Sequence, residues 1–190
     1  NFETLDNIKS YAGKLKYAHE RLQRIGSVSA RVVYKVDEEK VLKIAKNKKG
    51  LAQNSVEAEG YLQNYDIVAK VFETDRDDFW IEMEYAKKLT PTRFREITGI
   101  DLKKLWSFLW YKKENRITMS GITKEEIDEY EENEFIMNLM ELVFDYQMRI
   151  PGDLSRISSY GEVKRDGKPA VVLVDFGLTQ SVWYDYYRIK

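Results

Sequence analysis

The sequence predicts an α+β protein of two lobes, a small antiparallel sheet lobe followed by a truncated helical lobe. Short alternating runs rich in Val and Tyr dominate the first half. Apolar residues at helical spacing dominate the second half, and the period changes near residues 85–88. The chain has 190 residues, 43% of them hydrophobic. We therefore expect one domain over 1–190, with a first lobe at 1–86 and a second at 87–190.

The first lobe is expected to begin with a helix and to continue mainly as strands. Apolar residues recur every three or four positions between Leu5 and Leu22, which predicts the leading helix. The polar turn 37–40 separates two apolar runs and predicts a hairpin. The expected elements are a helix at 5–22, strands at 28–36 and 41–45, a basic loop at 47–50, a helix at 51–63, and strands at 67–73 and 79–85.

The second lobe is expected to be helical around one buried helix. Thr90-Pro91-Thr92 predicts a helix start, because proline is tolerated in the first turn. Thr123 followed by Glu126 has the spacing of a capping box. The wide apolar face of 132–148 predicts the buried helix. The remaining elements are expected to be a helix at 102–111, a hairpin at 160–174 around the turn 165–168, and an aromatic helix at 183–187 that packs back on the first lobe or forms a protein interface.

Composition excludes several classes of function. The net charge of -1 predicts no general attraction to nucleic acid or to an anionic membrane. The chain has no Cys and a single His, His19, which excludes disulfides, cysteine zinc sites and multi-histidine metal sites. No apolar stretch is long enough to span a bilayer, and no signal peptide is visible. We therefore expect a cytoplasmic protein.

The most informative motif is Asp175-Phe176-Gly177. It directly follows the apolar run 170–174, which predicts a buried strand. A strand that ends in Asp-Phe-Gly is how protein kinases present the aspartate that holds Mg²⁺ against ATP phosphates. Because a turn with Asp and Gly can follow any strand, the motif indicates a kinase-like site only if the other kinase residues occur upstream in the right order.

Lys43 is the polar residue of an otherwise apolar predicted strand. A half-buried lysine requires an anionic partner to offset its desolvation. The helix that follows offers Glu57, which we prefer, and Glu59 as second choice. The alternative is a solvated lysine with glutamates on the helix surface.

Two further segments could enclose a nucleotide. Gly26, Ser27 and Ser29 precede the first hairpin, where small residues let backbone N–H groups approach phosphates. The strand end at Met83, Glu84 and Ala86 is a candidate adenine hinge, with Met83 at the back of the pocket. The alternatives are an ordinary strand entry and an ordinary edge strand.

Asp153 follows the predicted buried helix in the sequence Ile150-Pro151-Gly152-Asp153-Leu154. It lies 22 residues before Asp175, which is the order and spacing of a kinase catalytic loop. Its carboxylate would then orient an acceptor hydroxyl and take its proton. A turn aspartate after Pro-Gly is the equal alternative.

Taken together, these landmarks resemble the protein-kinase-like fold over Gly26 to Gly177. The chain also resembles the short kinase-like proteins of unknown role in bacteriophage genomes, on the stretches 30–34, 50–54 and 173–179. The resemblance implies ATP and Mg²⁺ as cofactors, with Asp153 as base and Asp175 as metal ligand. Lys43 with Glu57 would be the phosphate clamp, and a viral protein would act in the host cytoplasm.

The chain departs from the kinase pattern at three places. Ser155 and Ser158 stand where kinases have Lys and the metal-binding Asn, and a serine hydroxyl at Ser158 would be the weaker Mg²⁺ ligand. Only Gly26 remains of the usual three loop glycines. The 13 residues after Gly177 contain no peptide-binding segment. The acceptor is therefore expected to be a small molecule, a bound partner or the protein itself.

These departures leave two main hypotheses of different classes. The first is an ATP- and Mg²⁺-dependent phosphotransferase of unknown acceptor. The second is a pseudokinase, in which the fold serves as a nucleotide- or protein-binding module. Nucleotidyl transfer on the same fold is a third and smaller alternative.

Overall fold

The computed structural model describes residues 2–115 and 121–188 and has the expected α+β, two-lobed architecture. The first lobe is a five-stranded antiparallel sheet, and the second is mainly helical with a small three-stranded sheet. The strands are β1 Gln23–Ser27, β2 Arg31–Lys35, β3 Lys40–Ala45, β4 Val71–Thr74, β5 Trp80–Glu84, β6 Lys87–Lys88, β7 Tyr160–Arg165 and β8 Lys168–Leu173. The α-helices are α1 Glu3–Asn7, α2 Tyr11–His19, α3 Lys48–Glu57, α4 Pro91–Thr98, α5 Leu102–Glu114, α6 Lys124–Glu131, α7 Glu134–Asp145 and α8 Gln180–Tyr186.

The large sheet has the strand order β1-β2-β3-β5-β4. Because side chains alternate along a strand, its two faces carry different residues. The front face carries Val41, Lys43 and Met83 and belongs to the main core shared with the second lobe. The back face carries Leu42, Ile44 and Trp80, which pack with the leading helices in a second core.

The prediction of a single leading helix at 5–22 is wrong, because two short helices replace it. Ser10 is the N-cap of α2 and accepts a hydrogen bond from the N–H of Gly13, so the chain starts a new helix there. The side chain of Lys14 donates to the carbonyl of Leu5 at 2.7 Å and ties the two helices together. Residues 23–27 then form β1, an edge strand that was not predicted.

The helix predicted at 51–63 is also wrong in its bounds. It begins at Lys48, because the Asn47 side chain accepts from the N–H groups of Lys49 and Gly50. It ends at Glu57, and a separate 3₁₀ turn follows at Gly60–Asn64. Glu57 is therefore the last residue of helix α3.

The second lobe follows the prediction closely. Thr90 caps α4 with proline at its start, and Thr123 and Glu126 form a complete capping box at α6. Helix α7 is the buried helix, with Ile136, Leu139 and Leu142 in the core. The β7–β8 hairpin turns at Asp166 and Gly167, both of which have positive φ. None of the helices within residues 2–115 and 121–188 is long and apolar enough to cross a membrane.

Candidate functional site in the cleft between the lobes

The front face of the sheet brings Lys43 to the end of α3. Lys43 lies opposite Val33 and Ile81 in the sheet. Its ammonium is 2.7 Å from Oε2 of Glu57 and also donates to the carbonyl of Val174. Glu59 is exposed, so Glu57 is the acid that pairs with Lys43 in the structure.

Glu57 connects α3 to the Asp-Phe-Gly segment through its second oxygen. Oε1 accepts hydrogen bonds from the N–H groups of Phe176 and Gly177, both at 3.1 Å. The helix approaches this segment so closely that a Cβ at position 177 would lie 2.5 Å from the backbone oxygen of Gln53. Only glycine fits at position 177, and the segment following β8 is held in place by buried contacts.

A second cation at this site, Arg31, was not predicted from the sequence. Its guanidinium is 2.8 Å from Oε2 of Glu57 and forms a short ion pair with Asp175. The side chain is 3% exposed. The alternation of side chains along the strand could have indicated Arg31, because Arg31 is two residues before Val33 and Val33 pairs directly with Lys43. Arg31 therefore shares the front face with Lys43.

Two cations and two carboxylates thus meet at the inner end of the cleft. Burial alone would raise the pKa of Glu57, but Arg31 and Lys43 outweigh it and lower that pKa below its ordinary value. Burial lowers the pKa of Lys43, and the charge of Glu57 offsets part of this effect. The formal charges of the two cations and two carboxylates sum to zero, and the stability of the cluster depends on an ionised Glu57.

Asp153 is on a segment that the backbone holds next to the segment of Asp175, although its side chain is not among those that line the cavity. The N–H of Arg149 donates to the carbonyl of Leu178 at 3.1 Å, and the N–H of Gln180 donates to the carbonyl of Gln147 at 2.9 Å. This pairing joins the two segments that carry Asp153 and Asp175. Burial raises the pKa of Asp153, and the negative charge of Asp175 raises it further.

The side chain of Asp153 faces one cation of its own. Arg156 lies 3.0 Å from Oδ1 of Asp153, but the arginine side chain is 70% exposed. An exposed partner of this kind provides little electrostatic stabilisation. Asp153 is therefore a partly buried carboxyl close to Asp175, which suits a proton acceptor.

The predicted glycine loop spans the last residues of β1 and the turn that joins β1 to β2. Gly26 and Ser27 line the cleft, whereas Ser29 does not. The carbonyl of Ser29 accepts from the Asn47 side chain at 3.1 Å, so the turn is held against the start of α3. The end of α8 lies against the same helix, where the ammonium of Lys49 is 4.6 Å from the centre of the Tyr187 ring. Helix α8 thus packs back on the first lobe, as expected.

The outer end of the cleft is a cavity of about 760 Å³. The N–H of Glu84 donates to the carbonyl of Lys70 at 2.7 Å, and that of Tyr85 to the carbonyl of Glu39 at 2.6 Å. These two donors are therefore unavailable to a ligand. The lining residues include Val33, Val41, Met83, Glu84, Ala86, Leu89, Ile157 and Tyr160, and the inner end is closed by Arg31, Lys43 and Asp175.

The hinge is fixed by an ion pair with the second lobe. The two guanidinium nitrogens of Arg165 bind the two carboxylate oxygens of Glu84, each at 2.6 Å. Such a bidentate pair is geometrically specific. The hinge segment and the β7–β8 hairpin therefore form one wall of the cavity.

The residues present do not fit a Mg²⁺ ion at the predicted position. Mg²⁺ requires near-octahedral oxygen ligands, and the carboxylate of Asp175 is already paired with a guanidinium. Ser158 lines the cleft and is exposed. Within the residues that the structure describes, no group of three or more His, Cys, Asp or Glu side chains could hold a metal ion.

The architecture is defined by the sheet order, the Lys43–Glu57 pair and the position of Asp175-Phe176-Gly177. The fold is protein-kinase-like. No family model matches the chain, and no curated protein matches it.

Among solved structures, the kinase-like chain is similar to aminoglycoside phosphotransferases. The streptomycin–ATP ternary complex of APH(2'')-IIa has 13% identity and a TM-score of 0.37, and the alignment covers 90% of this chain and 71% of that one. ADP-bound APH(2'')-Ib has 12% identity, a TM-score of 0.37 and the same coverage. The gentamicin complex of APH(2'')-IIa has 13% identity, a TM-score of 0.36 and coverages of 90% and 70%. At these scores the likeness does not establish a shared function.

Proposed function

We propose that the cleft binds ATP, with the base at the hinge and the phosphates at the inner end. One observation carries this proposal: an apolar cavity of about 760 Å³ ends at two buried cations, Arg31 and Lys43. A flat aromatic base suits the apolar walls, and phosphates suit the cations. ATP binding is expected both of an active phosphotransferase and of a nucleotide-binding pseudokinase.

Thermal unfolding with ATP tests the proposal. We expect the wild-type protein to be stabilised by about 2.7 kcal/mol when ATP is at about one hundred times its Kd. Lys43→Met is expected to lose most of this stabilisation. Lys40→Met is the matched control, because Lys40 is on the same strand but pairs with Glu82 outside the cleft. The absence of any shift with millimolar nucleotide would contradict ATP binding.

Phosphoryl transfer is a second candidate, favoured by Asp153, whose segment is hydrogen-bonded to the segment that carries Asp175. In this reaction the oxygen of an acceptor hydroxyl forms a bond to the γ-phosphorus as the bond to the β–γ bridging oxygen breaks. ADP leaves, and the hydroxyl proton passes to the carboxylate of Asp153. The raised pKa of Asp153 suits a base that must hold this proton.

Asp153→Asn separates transfer from binding. We expect the variant to bind ATP with unchanged affinity and to form ADP at least about a hundredfold more slowly, since a positioned base contributes that much. Released ADP measures transfer, and calorimetry measures binding. Ser155→Ala, on the same 3₁₀ turn, is the control. Equal ADP formation by wild type and Asp153→Asn would rule out this role of Asp153.

A protein partner belongs to the same proposal, and Tyr184 on α8, which is 60% exposed, is its candidate contact. Exposed aromatic side chains are enriched at protein interfaces. The relation to bacteriophage proteins and the location in a host cytoplasm stay predictions from sequence resemblance.

A further inference from the structure

Arg31 occupies the place at which the kinase pattern requires a metal ion. Its guanidinium is buried and contacts the carboxylates of Glu57 and Asp175, with Asn54 Oδ1 at 3.4 Å. Asp175 retains 29% exposure, and both Arg31 and Asp175 line the cleft. The positive charge that a divalent ion would bring to Asp175 is already supplied by the chain.

The position of Arg31 is enforced by the structure around it. The carbonyl of Ala30 accepts from the N–H of Lys46 at 2.8 Å. A Cβ at position 50 would lie 2.1 Å from that same carbonyl oxygen, so Gly50 allows α3 to approach the start of β2. Arg31 therefore begins its strand against the helix that carries Glu57. A guanidinium held in this way loses little freedom when it binds a ligand.

We propose that Arg31 replaces the divalent cation, so that the triphosphate is bound by Arg31 and Lys43 without Mg²⁺. This inference rests on the proposed ATP binding. A guanidinium presents several N–H donors in one plane and binds phosphate oxygens through paired hydrogen bonds. Mg²⁺ at Asp175 would have to displace Arg31 and would face the charge of a second cation, Lys43.

Calorimetric titration of the full chain with ATP, in EDTA and in excess Mg²⁺, tests the inference. We expect the wild-type affinity to be equal within about threefold in the two conditions. Arg31→Met is expected to lose about tenfold or more of its affinity in EDTA, since a charge-assisted hydrogen bond is lost. Mg²⁺ is expected to restore binding to this variant, because Asp175 becomes free.

Three controls keep the outcomes separate. Lys35→Met removes a cation from the same strand outside the cavity and should behave as wild type. Adenosine, which lacks phosphates, should bind wild type and Arg31→Met equally and shows that the variant retains its cleft. Arg31→Lys keeps the charge without the planar donors and should lie between wild type and Arg31→Met in EDTA.

The possible negative results of the titration contradict different parts of the proposal. Wild-type binding that requires Mg²⁺ would overturn the metal replacement and leave the proposed ATP site intact. Unchanged binding of Arg31→Met in EDTA would also overturn it. No binding of ATP or adenosine by the wild-type protein in either condition would overturn the proposed function and this inference together.

Discussion

The two faces of the large sheet each bury an ionic cluster, but only one cluster opens into a cavity. On the back face, Lys14 lies 3.2 Å from Asp75, and their side chains are 1% and 7% exposed. Asp75 also accepts from the N–H of Trp80 at 3.3 Å, so this pair is enclosed by structural partners. On the front face, Asp175 reaches the cleft. Both clusters are buried, and access to the cavity is what distinguishes the front cluster from the back one.

The largest expected effect is that of Glu57→Gln on the front face. The variant leaves Arg31 and Lys43 buried with a single carboxylate, and breaking such a cluster costs about 3–5 kcal/mol. The free energy of unfolding from urea denaturation at neutral pH measures this loss. We also expect weaker ATP binding, because Glu57 orients both cations. Glu59→Gln, two residues away and exposed, should stay within about 0.5 kcal/mol of wild type.

The matched comparison on the back face is Lys14→Met. It leaves Asp75 buried without its cation and should also destabilise the protein, by about 3 kcal/mol. Its ATP affinity should equal that of the wild-type protein, because neither Lys14 nor Asp75 lines the cleft. A loss of ATP affinity in Lys14→Met as large as in Glu57→Gln would show that the two faces are coupled and would remove the distinction.

The sequence predicts the parts of the site that follow one another in a known order. An apolar strand precedes Asp175, an apolar strand contains Lys43, and a helix carries Glu57. The structure brings the three residues together. The turn at Asp166-Gly167 and the caps at Thr90 and Thr123 are local, so residues three or four apart suffice to predict them.

Arg31 was missed because its partners are distant in the chain. It contacts Glu57 and Asp175, which are 26 and 144 residues further along the chain, so no local pattern indicates these ion pairs. The edge strand β1 was missed because it pairs on one side only and its pattern is mostly exposed. The leading helix breaks at the N-cap Ser10, and Lys14 holds the two short helices together through the carbonyl of Leu5 and the buried Asp75. Such tertiary contacts override helical periodicity.

The smallest expected effect, and the sharpest contrast between the faces, is in the pH dependence of stability. The pKa of Glu57 is lowered in the folded protein, so its contribution is present above its ordinary value of 4.5 and is lost as the pH falls through the folded pKa. Burial raises the pKa of Asp75 above its ordinary value of 3.8, although Lys14 offsets part of the rise. Asp75 therefore favours the folded state most at acid pH and less as the pH rises.

The two faces should thus respond to acid with opposite signs. Between about pH 6 and pH 3, over which both carboxyl groups titrate in the unfolded chain, the stability advantage of wild type over Glu57→Gln should shrink as the pH falls. Over the same range, the advantage of wild type over Asp75→Asn should grow, because protonation removes the cost of the buried carboxylate. Urea denaturation at several pH values gives both differences. Slopes of the same sign would mean that the back pair, like the front cluster, is stabilised by its ionised carboxylate, and cavity access alone would then separate the two faces.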